Sequence, residues 1–144
     1  MDCFNNTVFI TVFGTICNII VTVLMAYALS RKNLLFGKFF IFYCLIPLLI
    51  TGGVVPTYLI VRNTGLLNSL SALIIPTLVS PYILLITRTF FSNIDESIYE
   101  SARIDGAGEF RILFAIILPI STPIIATIGL MYGVAHWNQY FASL

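Results

Sequence analysis

Residues 7–29, TVFITVFGTICNIIVTVLMAYAL, contain no charged side chain. A helix needs roughly 20 mostly apolar residues to cross the hydrocarbon core of a bilayer, and this run supplies them. Thr11, Thr15, Asn18 and Thr22 interrupt it at spacings of four, three and four, which puts all four on one helical face. Such a face turns toward other helices in lipid, because hydrocarbon offers a hydroxyl or an amide no partner. The run is too long for a signal peptide, and no charged segment precedes it as one would in a signal peptide.

Three further apolar runs lie downstream, over residues 39–60, 70–91 and 112–135. Each contains prolines: Pro47 and Pro56 in the first, Pro76 and Pro81 in the second, Pro119 and Pro123 in the third. Membrane helices tolerate interior proline where neighbours satisfy the freed carbonyls, so the expectation is an all-α membrane protein, a kinked transmembrane helix bundle. The composition agrees: 59% of the 144 residues are hydrophobic and 9% charged, with a mean hydropathy of +1.02, whereas soluble domains carry about a quarter charged residues. A net charge of +1 provides no basic face for nucleic acid. Cys3, Cys17 and Cys44 lack metal-ligand spacing, so no metal site is expected.

The basic residues orient the runs. Arg31, Lys32 and Lys38 follow the first run, Arg88 lies near the end of the third, and Arg103 and Arg111 lie beyond it, leaving only Arg62 on the other side. Short cytoplasmic loops are enriched in Lys and Arg, so the segments after the first and third runs are expected in the cytoplasm and both chain ends outside.

Asp95, Glu96, Glu100, Asp105 and Glu109 are five of the six acidic residues, and all lie in the second of these cytoplasmic segments. No carboxylate lies within an apolar run. Transport driven by protons or sodium usually requires an ionisable group inside the membrane, so any driving energy is expected to come from a partner. The acidic segment itself reads as a short helix over 93–106, opened by an Asn93/Glu96 capping box and closed by Gly106. Ile94, Ile98 and Ala102 form a narrow apolar stripe along it. That stripe could lie on lipid, pack on its own bundle or enter a partner; its acidic flank disfavours anionic lipid.

Glu100-Ser101-Ala102, three residues, Gly106, nine residues, then Ile116-Ile117-Leu118-Pro119 resembles the EAA loop of permease subunits in binding-protein-dependent ABC importers. Ser101 replaces the usual alanine, a small-for-small change, and residues 100–108, ESARIDGAG, are similar to the sugar-importer branch. The resemblance implies a type I importer permease fold in which the short helix is a coupling helix, seated in a cleft of a cytoplasmic ABC ATPase. Glu100, Ser101, Ala102, Arg103, Asp105, Gly106 and Pro119 are the coupling residues it implies. Ala102 and Gly106 permit close approach, Glu100 and Arg103 suit ion pairing, and Asp105 suits capping around the turn. Taken alone, Pro119 reads equally well as a simple kink.

The segment from Gly133 to Phe141, with Trp137-Asn138 inside it, also resembles the sugar-importer branch, where it lies near the translocation pathway. Ring stacking and amide hydrogen bonds suit a hydroxyl-rich ligand, which makes Tyr132, His136, Trp137 and Asn138 the pathway candidates. The alternatives are an interfacial aromatic belt for Trp137, Tyr140 and Phe141, and plain packing for His136. The stretch from Leu49 to Leu73 is similar to the same branch, and the likeness runs from Asn5 to Phe141. Permeases of this kind carry further spans at both ends, so the resemblance implies an internal piece of a longer subunit.

The implied function is a non-catalytic, multi-pass subunit of the bacterial cytoplasmic membrane that forms a carbohydrate pathway. Its implied partners are ABC ATPase subunits holding ATP-Mg, a second permease, an extracytoplasmic solute-binding protein and the lipid bilayer. No cofactor is expected on this chain: Gly37-Lys38 lacks the glycine five residues earlier that a phosphate-binding loop requires. Catalytic residues are not expected either, since His136 has no carboxylate nearby in sequence and Ser80 and Ser92 have no evident base. The alternative is a passive channel or membrane scaffold, which leaves the acidic segment unexplained.

Overall fold

The computed structural model describes residues 2–50, 52–65 and 75–142. Helix α1 (Asp2–Ser30) is the spine; at 1.5 Å per residue it is about 43 Å long, more than the roughly 30 Å hydrocarbon core requires. Helices α2 (Gly37–Leu49) and α3 (Val54–Asn63) follow, then a single 3₁₀ turn at Ile75–Thr77 and helix α4 (Pro81–Ser92). The acidic segment forms α5 (Glu96–Ile104). A composite helix, α6 (Glu109–Ile120), leads into α7 (Thr122–Ala142).

Both α4 and α7 pack along α1. The core between them contains Val23, Ala26, Leu84, Phe91, Ile112, Ile117 and Ile128. By contrast, α2 has no buried residue. Its long apolar side chains face outward, as they do on a surface turned to lipid or to another protein.

The run expected over 39–60 is two helices. Gly53 separates them at φ 81° and ψ −177°, a conformation essentially reserved for glycine. Pro56 lies in the first turn of α3, where its missing N–H has no intrahelical partner to lose. The run expected over 70–91 is also shorter as a helix. Residues 66–74, which include the start of that run and the last part of the outer loop before it, lie outside the described residues. Ser80 is extended before Pro81, as a residue preceding proline prefers, and Pro81 opens α4 where its fixed φ suits a first turn.

The run over 112–135 is bent by 84° between α6 and α7. Within α6, Leu113–Ile117 widens into a π turn, and the Leu118 N–H reaches back to the Leu113 carbonyl just before Pro119, which has no N–H to offer. Pro123 likewise cannot bond the Pro119 carbonyl, and the Thr122 hydroxyl donates to it instead at 2.9 Å. Two prolines four residues apart therefore break the ladder where the chain turns. Among the described residues, α1 alone is long and apolar enough to cross a membrane unbroken, and α6 with α7 qualifies only as a bent pair.

The start of α5 also differs from expectation. Asp95, not Asn93, caps the helix, its carboxylate accepting the Ser97 N–H at 3.1 Å. At the other end Gly106 adopts φ 79°, the Ala107 N–H donates to the Ala102 carbonyl, and the Gly106 N–H donates to the Arg103 carbonyl. This pair of bonds is the Schellman stop that glycine favours.

Candidate functional site

Two polar clusters are built on α1, one inside the bundle and one at its C-terminal end. The inner cluster uses the face of α1 that carries the threonines and Asn18. Asn18 Nδ2 donates to the Thr77 carbonyl at 3.2 Å and lies 3.0 Å from His136 Nε2. An amide nitrogen only donates, so in this arrangement His136 Nε2 is the acceptor. Below this pair, Thr22 Oγ1 and the Tyr132 hydroxyl are 2.6 Å apart, and the Ser80 N–H donates to the same Tyr132 oxygen at 3.2 Å. Gly14 makes the approach possible: a Cβ there would stand 3.1 Å from His136 Nε2.

Around this cluster lies a cavity of about 330 Å³, lined by Asn18, Ser80, Tyr132, His136 and Gln139 among others. Its polar groups are neutral amides, hydroxyls and an imidazole. Several of them are bonded to one another, the rest of the lining is mostly apolar, and no group carries a fixed charge. Of the sequence-derived pathway candidates, Tyr132 and His136 line the cavity and are almost wholly buried, whereas Trp137 and Asn138 are exposed on α7 and do not line it. Ser80 and Gln139 were not signalled by the sequence, because nothing local connects α4 or the end of α7 to a stripe on α1.

The outer cluster joins the acidic segment to the bundle. The Arg31 guanidinium lies over the Tyr99 ring at 4.2 Å and within 5.9 Å of the Tyr27 ring, both within cation–π range. Tyr27 donates its hydroxyl to Glu109 Oε2 at 2.6 Å, and Arg103 Nη2 donates to Glu109 Oε1 at 3.0 Å. Longer ion pairs run from Arg31 to Glu96 at 3.9 Å and to Glu109 at 4.0 Å. The Tyr27 hydroxyl holds the Glu109 carboxyl below its ordinary range, with help from Arg103 and Arg31 and against partial burial. Burial pushes the Tyr99 hydroxyl up.

These contacts decide between the three uses open to the apolar stripe of α5. Of the stripe, Ala102 is buried and Ile94 and Ile98 are half-buried, and Tyr99 beside it is buried as well, so this face of the helix packs on its own bundle. Ala102 is therefore small in order to let α5 lie close to its neighbours. Glu100, Ser101, Asp105 and Gly106 face outward, and Arg103 is exposed while bonded to Glu109. Ile104, 86% exposed, adds an apolar residue to that outer surface. Pro119 is exposed beside the π turn, away from this surface in sequence but on the helix that α5 leads into. Tyr27, Arg31, Tyr99 and Glu109 were missed as a group, although an arginine placed directly after a long apolar run was a signal that could have found one of them.

The family model described as the binding-protein-dependent transport system inner membrane component matches residues 7–143. The chain is 44% identical over 138 residues to the polygalacturonan/rhamnogalacturonan transport system permease protein YtcP of Bacillus subtilis (strain 168), covering 96% of this chain and 48% of that protein. It is 32% identical to the sn-glycerol-3-phosphate transport system permease protein UgpE of Yersinia pestis bv. Antiqua (strain Antiqua), covering 88% of this chain and 46% of that one. Among solved structures, a chain in the crystal structure of a bacterial ABC transporter involved in the import of the acidic polysaccharide alginate matches with a TM-score of 0.90 and 33% identity, over 93% of this chain and 48% of that chain. The chain thus spans about half the length of the curated relatives it matches.

Proposed function

The chain belongs to the family of binding-protein-dependent transport system inner membrane components, and from that premise we propose that it serves in a multi-pass permease subunit of an ATP-driven importer. In this reading it forms part of the pathway for a carbohydrate and couples through α5 to a separate cytoplasmic ABC ATPase that binds and hydrolyses ATP. A second permease and an extracytoplasmic solute-binding protein complete the assembly. The carbohydrate reading draws on the substrates for which two similar proteins are named, polygalacturonan/rhamnogalacturonan and alginate. The neutral polar groups around Asn18, Tyr132 and His136 suit the hydroxyls that a carbohydrate carries and supply no cation for acidic groups.

The observation that carries the coupling role is the two-sidedness of α5. One face is anchored by Tyr99 and Ala102 and tied through Glu109 and Arg31 to α1. The other presents Glu100, Ser101, Ile104 and Asp105 to solvent. A helix held so firmly from behind transmits a push on its outer face to α1 and α6 instead of yielding locally. Glu100→Lys reverses the charge of that face without removing an internal contact, and Gly106→Arg adds bulk at a turn whose φ of 79° favours glycine. Each variant is expected to insert into the membrane normally and to lose co-purification with the cognate ATPase. Undiminished capture of the ATPase by both variants overturns the coupling role and favours a passive channel or scaffold.

A further inference from the structure

The cytoplasmic ends of α1, α2 and α4 enclose a second cavity, of about 460 Å³, whose lining includes Arg31, Lys32, Lys38 and Arg88 and no carboxylate. Arg31 shares its charge with Glu96 and Glu109, but Lys32, Lys38 and Arg88 form no salt bridge among the described residues. Arg88 Nε is buried without a hydrogen-bond partner there. Three cations brought together by separate helices repel one another, and a polar N–H kept from water costs free energy unless something accepts it. Both costs disappear with an anion in the cavity.

The surroundings of the cavity identify the anion. Leu34, Phe36 and Ile41 also line it, and Phe36, an exposed residue, is held at φ 61°, an uncommon conformation for a bulky side chain. From there α2 continues with Phe39, Phe40, Phe42 and Tyr43, all exposed. The cationic cavity therefore opens onto a long apolar surface at the end of the membrane helices. Basic pockets between helices on the cytoplasmic side take anionic headgroups, and adjoining apolar surface takes acyl chains. We propose that this cavity is a binding site for an anionic phospholipid, with the phosphate among Lys32, Lys38 and Arg88 and the acyl chains along the aromatic face of α2. The site requires only that the chain lie in a membrane and is independent of what the protein transports.

The test is retention of phosphatidylglycerol by the purified protein after reconstitution in vesicles of phosphatidylcholine with phosphatidylglycerol, read by native mass spectrometry. Bound phosphatidylglycerol is expected on the wild type, with affinity falling about fivefold for each cation removed in Lys32→Gln, Lys38→Gln and their double variant, the effect of one basic residue near an anionic surface. Lys32 and Lys38 are exposed, so these variants leave the fold intact, and Arg62→Gln, on the opposite side, is expected to change nothing. Equal retention by all variants, or equal retention of phosphatidylcholine, overturns the site. Displacement of the lipid by inorganic phosphate alone also overturns it, because the occupant is then a free anion and not a lipid.

Discussion

The two polar clusters on α1 solve the same problem, holding helices in register, with opposite chemistry. Inside the bundle Asn18, Thr22, Tyr132 and His136 use neutral bonds only. At the end of α1, Tyr27, Arg31, Tyr99, Arg103 and Glu109 use charges, rings and one shared carboxylate. The difference follows from the dielectric. An ionised group within hydrocarbon costs several kcal/mol, while at the aqueous end charge is well tolerated and charge-assisted bonds are stronger than neutral ones. The inner cluster joins its helices by single neutral bonds, whereas the Glu109 carboxylate accepts from two donors and has a third cation, Arg31, close by. The end cluster, with Tyr99 buried beneath Arg31, is therefore expected to be the firmer joint and the inner cluster the softer one.

Breaking the joint at its ring is expected to have the largest effect. Tyr99→Ala removes a side chain only 2% exposed from beneath Arg31 and is expected to cost about 3 kcal/mol or more, as truncating a buried aromatic does. A clear fall in Tm of the detergent-purified protein checks this; an unchanged Tm means that α5 is not packed as described.

A smaller effect is expected from Glu109→Gln. It keeps the shape, weakens the bonds from Tyr27 and Arg103 and removes the ion pair with Arg31, costing about 1 kcal/mol because the carboxylate is half exposed and screened. The same residue sets a pH dependence. Its folded pKa lies below the ordinary value, so its contribution is full above the unfolded pKa of about 4.3 and is lost as pH falls through the lower folded value. Hydrogen exchange of the α5 amides is expected to quicken in that acid range in the wild type, and to show no such dependence in Glu109→Gln. Identical profiles for the two proteins would assign the joint to the rings alone.

The smallest effect sharpens the comparison from the other side. Asn18→Leu removes the donor to Thr77 and His136, and hydrogen bonds between membrane helices average about 0.6 kcal/mol. Apolar packing by the leucine inside the bundle offsets part of this loss, and the net loss is expected to be about half a kcal/mol. A loss as large as that of Tyr99→Ala would show that the inner cluster is as rigid as the outer.

Much of the fold was legible from local signals. The apolar run at 7–29 and its polar face were readable from composition and spacing, and that face is where α7 meets α1 through Asn18–His136 and Thr22–Tyr132. The stop at Gly106 was also readable, since a left-handed turn after a helix is a local preference. The start of α5 was misread because Asn93 and Asp95 are both good caps. Which one serves depends on where the end of α4 leaves the chain. Prolines announced disturbed helices without giving the 84° turn, which depends on how α6 and α7 pack around Ser121.

The sequence by itself therefore determined the apolar, helical character of the protein, the side on which its charges gather and the helix in its acidic segment, because each sums over neighbouring residues. Only the tertiary structure decided that Ala102 faces the bundle, that Trp137 and Asn138 lie outside the inner cavity, and that Arg31 rests on Tyr99. These contacts join residues as far apart as Asn18 and His136. Their pairing is set by the rotation and depth of one packed helix against another, and no local pattern encodes that.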